Sequence, residues 1–170
     1  MSTPPRRAFL RWASALGALI PAGLVGYPAL RAFLSPAFRR PEGERWIKLV
    51  EVDQVETGVP IRFDFSETVS DAWVETRVPR GVWIYTEDGK TFTVYNGHCT
   101  HLACSYGFDK AKNLFHCPCH HGLFELSTGR VVDGPPPRAL DTLDVKIEDG
   151  FLYAAYREFR AGIPAKIPVA

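Results

Sequence analysis

The first pattern along the chain is a long apolar run near its N-terminus. From Trp12 to Leu30 the sequence reads WASALGALIPAGLVGYPAL and contains no acidic or basic side chain. As a helix this run would be roughly 28 Å long, which matches the hydrocarbon thickness of a bilayer. Pro21 and Pro28 are costly in a soluble helix exposed to water, but membrane helices tolerate proline. The pattern predicts one transmembrane anchor over residues 12–34.

Short alternating runs follow the apolar run and are broken by turn residues. RWIKLVEV and PIRFDF alternate apolar and polar side chains, as half-buried strands do. VWIYTEDGKTFTVY has two such arms around Asp88-Gly89, and LDTLDVKIEDGFLYAAY has two around Asp149-Gly150. Both dipeptides are strong hairpin signals. The pattern therefore predicts an antiparallel all-β head after the anchor.

Composition and charge divide the chain at the same place. The protein has 14 glycines and 14 prolines, which favours a turn-rich β fold. Residues 1–40 carry six arginines and no acid, so the remaining 14 Lys and Arg (20 less 6) face all 19 Asp and Glu. A net acidic head argues against a nucleic-acid partner, because phosphate binding depends on clustered cations.

The basic N-terminus indicates a direction of insertion. Arg6-Arg7 followed by Ala-Phe-Leu-Arg resembles a bacterial twin-arginine export signal; the alternative is an ordinary basic flank placed by the positive-inside rule. No Ala-x-Ala site follows the apolar run, so we expect a retained anchor rather than a cleaved signal peptide. Residues 1–11 are then a cytoplasmic leader, and the head lies outside the bacterial cytoplasmic membrane. SPAFRRPEGER, residues 35–45, has the composition of a tether or hinge.

All four cysteines and all five histidines lie between His98 and His121. They form two groups, CTHLAC at 99–104 and CPCHHG at 117–122. Two Cys and two His suit a tetrahedral zinc site, and they also suit an iron–sulfur cluster with two thiolates on one iron and two imidazoles on the other. Either choice leaves two cysteines, which could form a disulfide in an oxidising compartment. Ligand counting does not separate the two metals.

The two groups resemble the paired boxes of the Rieske iron–sulfur proteins, written C-T-H-x-x-C and C-P-C-H-G-S. The resemblance implies a 2Fe-2S cluster held by Cys99, His101, Cys117 and His120, with a disulfide between Cys104 and Cys119. It also implies an all-β, antiparallel Rieske-type head over residues 46–160, with an inserted cluster-binding part at about 96–138 and a C-terminal tail at 161–170. His98 and His116 occupy no ligand position of that family.

Further residues are expected around the cluster. GPPPRAL at 134–140 resembles the family's proline loop, which covers the cluster. The expected surroundings are Leu102, His121, Gly122, Phe124, Gly134, Pro135, Pro136 and Pro137. Ala103 replaces a common glycine, which matters only if that position needs a positive φ.

The second box departs from the pattern in a way that bears on the redox potential. The better-known members read Gly-Ser-x-Tyr after the last ligand, and the two hydroxyls donate to cluster sulfurs. This chain reads His121-Gly122-Leu123-Phe124, so both hydroxyl positions are empty. Donors to the sulfurs favour the reduced form, so their loss lowers the potential. We expect a low-potential cluster suited to menaquinol.

The function implied is that of the electron-transfer subunit of a quinol:cytochrome c oxidoreductase, a cytochrome bc complex. His101 or His120 would accept the quinol proton, and which of them does so is left open. Expected partners are quinol, a cytochrome b-type subunit, a c-type cytochrome and the lipid membrane, within a dimeric multi-subunit complex. The alternatives are an exported Rieske small subunit of another oxidoreductase, such as an arsenite oxidase, and a structural zinc module without redox activity.

Overall fold

The structure is a computed structural model that describes residues 5–38, 45–71 and 74–169. The chain divides into two compact units, Met1–Pro41 and Glu42–Ala170, which are described separately. The predicted tether is described only at residues 35–38 and at Arg45, since residues 39–44 lie outside the described ranges.

The first unit contains a single described helix, α1, which spans Arg6–Phe38. Within it, Arg6–Leu34 is a stretch of 29 residues that is long and apolar enough to cross a bilayer. Its large apolar side chains are exposed, including Trp12, Leu24 and Phe33. The helix is longer than the predicted anchor at both ends and includes the first four residues assigned from sequence to the tether.

The described residues of the second unit form ten strands and one short 3-10 helix, Val52–Gln54. In chain order they are β1 (Arg45–Glu51), β2 (Ile61–Asp71), β3 (Val74–Thr86), β4 (Phe92–Asn96), β5 (Gly107–Asp109), β6 (Leu114–Cys117), β7 (Gly122–Glu125), β8 (Val131–Asp133), β9 (Thr142–Glu148) and β10 (Phe151–Tyr156). Six form one sheet in the order β1-β10-β9-β4-β3-β2, and four form a second sheet in the order β5-β6-β7-β8. Neighbouring strands pair antiparallel throughout. The predicted fold class, an N-terminal apolar helix followed by an antiparallel β head, is confirmed.

The two sequence-predicted hairpins form as expected. Between β3 and β4, Oδ1 of Asp88 accepts hydrogen bonds from the N–H groups of Lys90 and Thr91 at 2.8 and 2.6 Å. Between β9 and β10, Asp149 and Gly150 have φ values of 49° and 78°. Two consecutive positive φ values match the twist of the flanking strands, which is why a Gly-containing pair stands there.

The small sheet is an insertion into the large one. Strands β4 and β9 pair with each other, and all of β5–β8 lies between them in sequence. The N–H of Asn96 donates to the carbonyl of Asp141 at 2.8 Å, which closes the base of the insertion. Residues 97–140 therefore form one continuous insertion, whose two ends lie side by side where Asn96 is hydrogen-bonded to Asp141.

An aromatic cluster joins the insertion to the large sheet. Phe115 of β6 packs against Trp83 of β3 and Tyr95 of β4, with ring centroids 5.3 and 5.7 Å apart. Tyr106 packs against the same phenylalanine at 5.3 Å, and its hydroxyl donates to the carbonyl of Asn96 at 2.9 Å. Burial of each such ring stabilises the fold by about 1.5–3 kcal/mol. This packing holds the insertion, and with it the segments that carry the cysteines and histidines, against the large sheet.

Residues 157–169, called the C-terminal segment below, fold back on the head. Phe159 and Pro168 form an isolated antiparallel bridge. The N–H of Arg160 donates to the carbonyl of Ile167 at 2.9 Å, and Lys166 Nζ donates to the carbonyl of Thr142 at 2.6 Å. The residues assigned from sequence to a tail are thus hydrogen-bonded to the head.

Candidate metal centre

The first Cys/His group lies on the loop between β4 and β5, called the first loop below (residues 97–106). The N–H of Cys99 donates to the carbonyl of Cys104 at 2.8 Å, and the N–H of Ala103 donates to the carbonyl of Cys99 at 2.9 Å. Ala103 has a φ of 56°, in the left-handed region. This position therefore does need a positive φ, at a cost of about 1–2 kcal/mol for a residue with a Cβ.

The second group lies on the tight connection between β6 and β7, called the second loop (residues 117–122). Cys117 and Gly122 are paired directly across the hairpin, so strand pairing itself closes this loop. His121 has a φ of 57° and an exposed side chain. A glycine would adopt this backbone conformation without strain, so the histidine stands at a position that favours glycine.

The fold brings the two loops against each other. Cys104 of the first loop and Cys119 of the second form a disulfide, the pair that the resemblance implies. The sulfur of Cys117 lies within 4.8 Å of both disulfide sulfurs. The rings of His101 and His120 face each other edge to face, with centroids 4.7 Å apart. All six residues assigned to the centre therefore lie at one junction.

The donor set fits a mixed thiolate and imidazole cluster. Cys99 and Cys117 are buried free thiols. Burial raises the pKa of the Cys99 thiol to about 11, although the N–H groups of His101 and Leu102 donate to its sulfur and oppose the shift. Such a thiol needs a metal to hold it as the thiolate at neutral pH. Nδ1 of His101 is buried and has no hydrogen-bond partner, as expected of an atom that binds iron.

The two imidazoles differ in their access to solvent. His120 is exposed, whereas His101 is half-buried. Leu102, next to His101, is an apolar side chain that is 60% exposed. The two loops therefore present both a polar ring, His120, and an apolar side chain, Leu102, to solvent.

The proline loop packs against the second loop. A Cβ added at Gly134 would lie 2.8 Å from Cα of Gly122, and one added at Gly122 would lie 2.8 Å from Cγ of Pro136. Both contacts are closer than real Cβ atoms allow, so glycine is required at both positions. Pro136 is buried there, while Pro135 and Pro137 are exposed. The closeness of Pro136 also means that serine cannot stand at residue 122 without moving the proline loop.

The other two histidines of the window have neighbours of their own. The ring of His116 stacks on that of His121, with centroids 5.7 Å apart and planes 16° apart. Nδ1 of His98 lies 3.2 Å from a carboxylate oxygen of Glu158. Burial raises the pKa of Glu158, but hydrogen bonds from His98 and Tyr156 and the charge of Arg80 outweigh it and hold this pKa at about 2.

Sequence reasoning missed the residues that support the first loop from behind. Thr100, between two predicted ligands, is buried and donates from Oγ1 to the carbonyl of Arg138 at 2.8 Å. Its own carbonyl accepts the N–H of Gly162 at 2.9 Å. The only sequence signal was the threonine of the first box, which names neither partner.

A β domain with an inserted Cys/His subdomain of this geometry is an iron–sulfur electron-transfer domain by class. The family model of the Rieske [2Fe-2S] domain matches residues 45–144. The chain belongs to the Rieske family, whose prosthetic group is a 2Fe-2S cluster.

Two relatives agree with this assignment, and one solved structure shares the fold. The chain is 34% identical over 152 residues to the menaquinol:cytochrome c reductase iron-sulfur subunit of Geobacillus thermodenitrificans, covering 87% of this chain and 89% of that protein. It is 33% identical to the subunit of the same name from Bacillus subtilis (strain 168), with the same coverage. The soluble domain of Rieske protein II (soxF) from Sulfolobus acidocaldarius superposes with a TM-score of 0.52, covering 75% of this chain and 86% of that one at 19% identity, and so shares the fold.

We expect the substitution Phe124→Tyr to raise the midpoint potential of the cluster. Phe124 is fully buried, so a hydroxyl added there finds no water, and in the better-known family members the tyrosine at this position donates to a cluster sulfur. A hydrogen bond to a charged group corresponds to about 60–130 mV for a one-electron couple. The potential is measured by redox titration with Phe108→Tyr as the control, since Phe108 is partly exposed on β5. An unchanged potential in correctly folded Phe124→Tyr protein contradicts the proposed low-potential design.

Proposed function

We propose that this chain is the iron–sulfur subunit of a quinol:cytochrome c oxidoreductase and transfers one electron from quinol to a c-type cytochrome. The observation that carries the proposal is the pair of imidazoles, His120 exposed and His101 half-buried with ring centroids 4.7 Å apart, on the two loops that also hold two buried free thiols. Support comes from relatives named as menaquinol:cytochrome c reductase subunits, which match 87% of the chain, far more than the cluster-binding boxes alone.

The residues of the centre divide the work between electron and proton. A bound 2Fe-2S cluster supplies one-electron transfer. Cys99 and Cys117 would hold one iron, and His101 and His120 the other. Because Nδ1 of His101 is the buried, unpartnered nitrogen, Nε2 is left to carry or accept a proton. A quinol hydroxyl hydrogen-bonded to such a nitrogen can give up its proton as its electron leaves.

The quinol is menaquinol in this proposal. Gly122 and Phe124 provide no hydroxyl to the cluster sulfurs, and Pro136 excludes a serine at residue 122. A lower potential matches a donor that is itself more reducing. Leu102 of the first loop and Pro135 and Pro137 of the proline loop are exposed apolar side chains, of the kind on which a quinone ring can pack.

The proposed setting is a dimeric membrane complex. Helix α1 would anchor the chain in the bacterial cytoplasmic membrane with residues 1–11 on the cytoplasmic side, following Arg6, Arg7 and Arg11. The head would then lie outside, where the Cys104–Cys119 disulfide is favoured. Its partners there would be a cytochrome b-type subunit, which takes the second electron, and a c-type cytochrome.

The test is a redox titration of the purified full chain from pH 5 to 11, followed by electron paramagnetic resonance (EPR) of the reduced form. A Rieske-type signal with a potential that falls as the pH rises supports a cluster whose imidazoles exchange protons. A potential independent of pH over that whole range contradicts proton acceptance by His101 and His120. A colourless, silent protein that contains zinc overturns the proposal.

A further inference from the structure

We propose that Arg138 is a positioning residue for the iron–sulfur centre, which fixes the first loop by tying it to the C-terminal segment. The inference rests on the proposed ligands Cys99 and His101, which flank the loop residue concerned. Arg138 touches neither ligand in the contacts described, so its effect is exerted through Thr100.

The guanidinium of Arg138 joins two parts of the chain. Its Nε and Nη2 donate to the two carboxylate oxygens of Asp141 at 3.0 and 2.7 Å. Its Nη1 donates to the carbonyl of Ile163 at 2.5 Å, and Nη2 also donates to the carbonyl of Arg160 at 2.9 Å. The side chains of Arg138 and Asp141 are only 10% and 6% exposed, so this is a nearly buried ion pair.

The same residue holds the first loop through its backbone. The carbonyl of Arg138 accepts Oγ1 of Thr100 at 2.8 Å, and the carbonyl of Thr100 accepts the N–H of Gly162 at 2.9 Å. The side chain of Thr100 is thus hydrogen-bonded to Arg138, and its main chain is hydrogen-bonded to Gly162 of the C-terminal segment. Since Thr100 directly follows Cys99 and precedes His101, movement of Thr100 displaces both ligands.

The first loop, the part of the chain around Arg138 and the C-terminal segment pack closely together. They enclose a cavity of about 10 Å³ lined by Cys99, Thr100, Ala103, Arg138, Asp141 and Ala161, among others. This is room for at most one water molecule. A Cβ at Gly162 would stand 3.4 Å from the carbonyl oxygen of His101, so the C-terminal segment reaches the backbone of the proposed ligand.

The two loops differ in their need for such support. The second loop is closed by the pairing of Cys117 with Gly122 across a hairpin. The first loop has ten residues between its strands, whereas four lie between β6 and β7. Within the first loop, the N–H groups of Cys99 and Ala103 donate to backbone carbonyls, and His98 and Ser105 form an isolated antiparallel bridge. The matched Rieske domain ends at residue 144. The C-terminal segment, which is hydrogen-bonded to Thr100 through Gly162, therefore lies beyond the part of the chain that the family model covers.

The experiment compares the full chain in detergent with Arg138→Met and with the double variant Arg138→Met, Asp141→Leu. The double variant removes the hydrogen bonds of the Arg138 guanidinium without leaving a buried carboxylate unpaired. Replacing both partners of a buried ion pair by apolar residues is often tolerated. Lys166→Ala is the matched control, since Lys166 bonds Thr142 from the same segment. Amide hydrogen exchange, the rate of iron release to a chelator and the EPR line shape of the reduced form are measured.

We expect exchange at Ala103 and Gly162, and iron release, to accelerate by roughly ten-fold or more in the double variant, since a local opening no longer breaks the hydrogen bonds from the Arg138 guanidinium to the carbonyls of Arg160 and Ile163. Exchange at Ile84 in β3 and all properties of Lys166→Ala should stay as in the unsubstituted chain. The EPR line shape should change, because the imidazole of His101 is no longer held in one orientation.

Two results overturn the inference: unchanged exchange, iron release and EPR in the double variant, or a uniform rise in exchange that includes Ile84. If the unsubstituted chain lacks a Rieske signal, the proposed function fails instead. Hydrogen exchange of the metal-free chain then still decides whether Arg138 orders the first loop.

Discussion

Full-length protein with Cys117→Ser or His120→Gln is expected to contain no Rieske cluster. Cys117 is a buried free thiol and His120 faces His101 at the same junction, so each substitution removes one of the four proposed iron ligands. Serine is a poor ligand for iron beside sulfide, and an amide oxygen cannot replace an imidazole that must also exchange a proton. The measurement is the iron content per chain, together with the visible spectrum and the EPR signal of the reduced protein.

His116→Gln is the matched control for this pair. His116 directly precedes Cys117 and is half-buried in β6, but it has no ligand role in the proposal. Its replacement should leave iron content and EPR signal intact. A variant of His120 that retains a normal Rieske signal would sink the ligand assignment, and so would loss of the cluster in His116→Gln protein that is otherwise folded.

A second large effect is expected from stiffening the connection between anchor and head. In the proposed function the head must meet quinol and cytochrome in turn, which requires movement on the segment assigned from sequence to residues 35–45. Replacing residues 39–44 by helix-forming Ala, Glu and Lys would continue helix α1, which already extends to Phe38. We expect quinol:cytochrome c turnover of the assembled complex to fall by roughly ten-fold or more, because a required conformational step is blocked.

The same chain supplies the readout that separates this effect from damage to the centre. The potential and EPR signal of the stiffened variant should match those of the unsubstituted protein, since residues 39–44 are remote in sequence from both loops. A control with Gly and Ser at the same six positions keeps the length and restores flexibility. Normal turnover with the helical linker would show that the head does not need to move.

Local sequence signals predicted the strands well because their determinants are local. The Asp88-Gly89 and Asp149-Gly150 turns and the alternation of β1 and β10 were readable, since side-chain period and turn chemistry act over a few residues. The Cys104–Cys119 disulfide was implied by the resemblance of the two groups to the Rieske boxes and not by ligand counting, which had left the pairing open. The positive φ of His121 was not predicted, although the family pattern has glycine at that position.

The contacts that sequence reasoning missed are those between distant segments. The sequence GPPPRAL does not show that Arg138 donates to the carbonyls of Arg160 and Ile163. Every residue has a backbone carbonyl, so the residue type does not indicate which carbonyl accepts the hydrogen bond. Residues 161–170 were assigned to a tail, and the stretch IPAKIP within them has two prolines and no alternation of apolar and polar side chains. The start of α1 at Arg6 was likewise hidden, because a basic flank and a helical turn have the same composition.

The hydrogen bond from Asn96 to Asp141 has a consequence for how this domain can change over evolutionary time. Because residues 97–140 leave and return at one point on a continuous sheet, their length and sequence can vary without altering the register of β4 against β9. Selection can then act on the redox centre and on the scaffold as nearly separate modules. The C-terminal segment is the exception, because it is hydrogen-bonded to the first loop. A substitution in that segment can therefore affect the redox centre, and the two modules do not vary independently there.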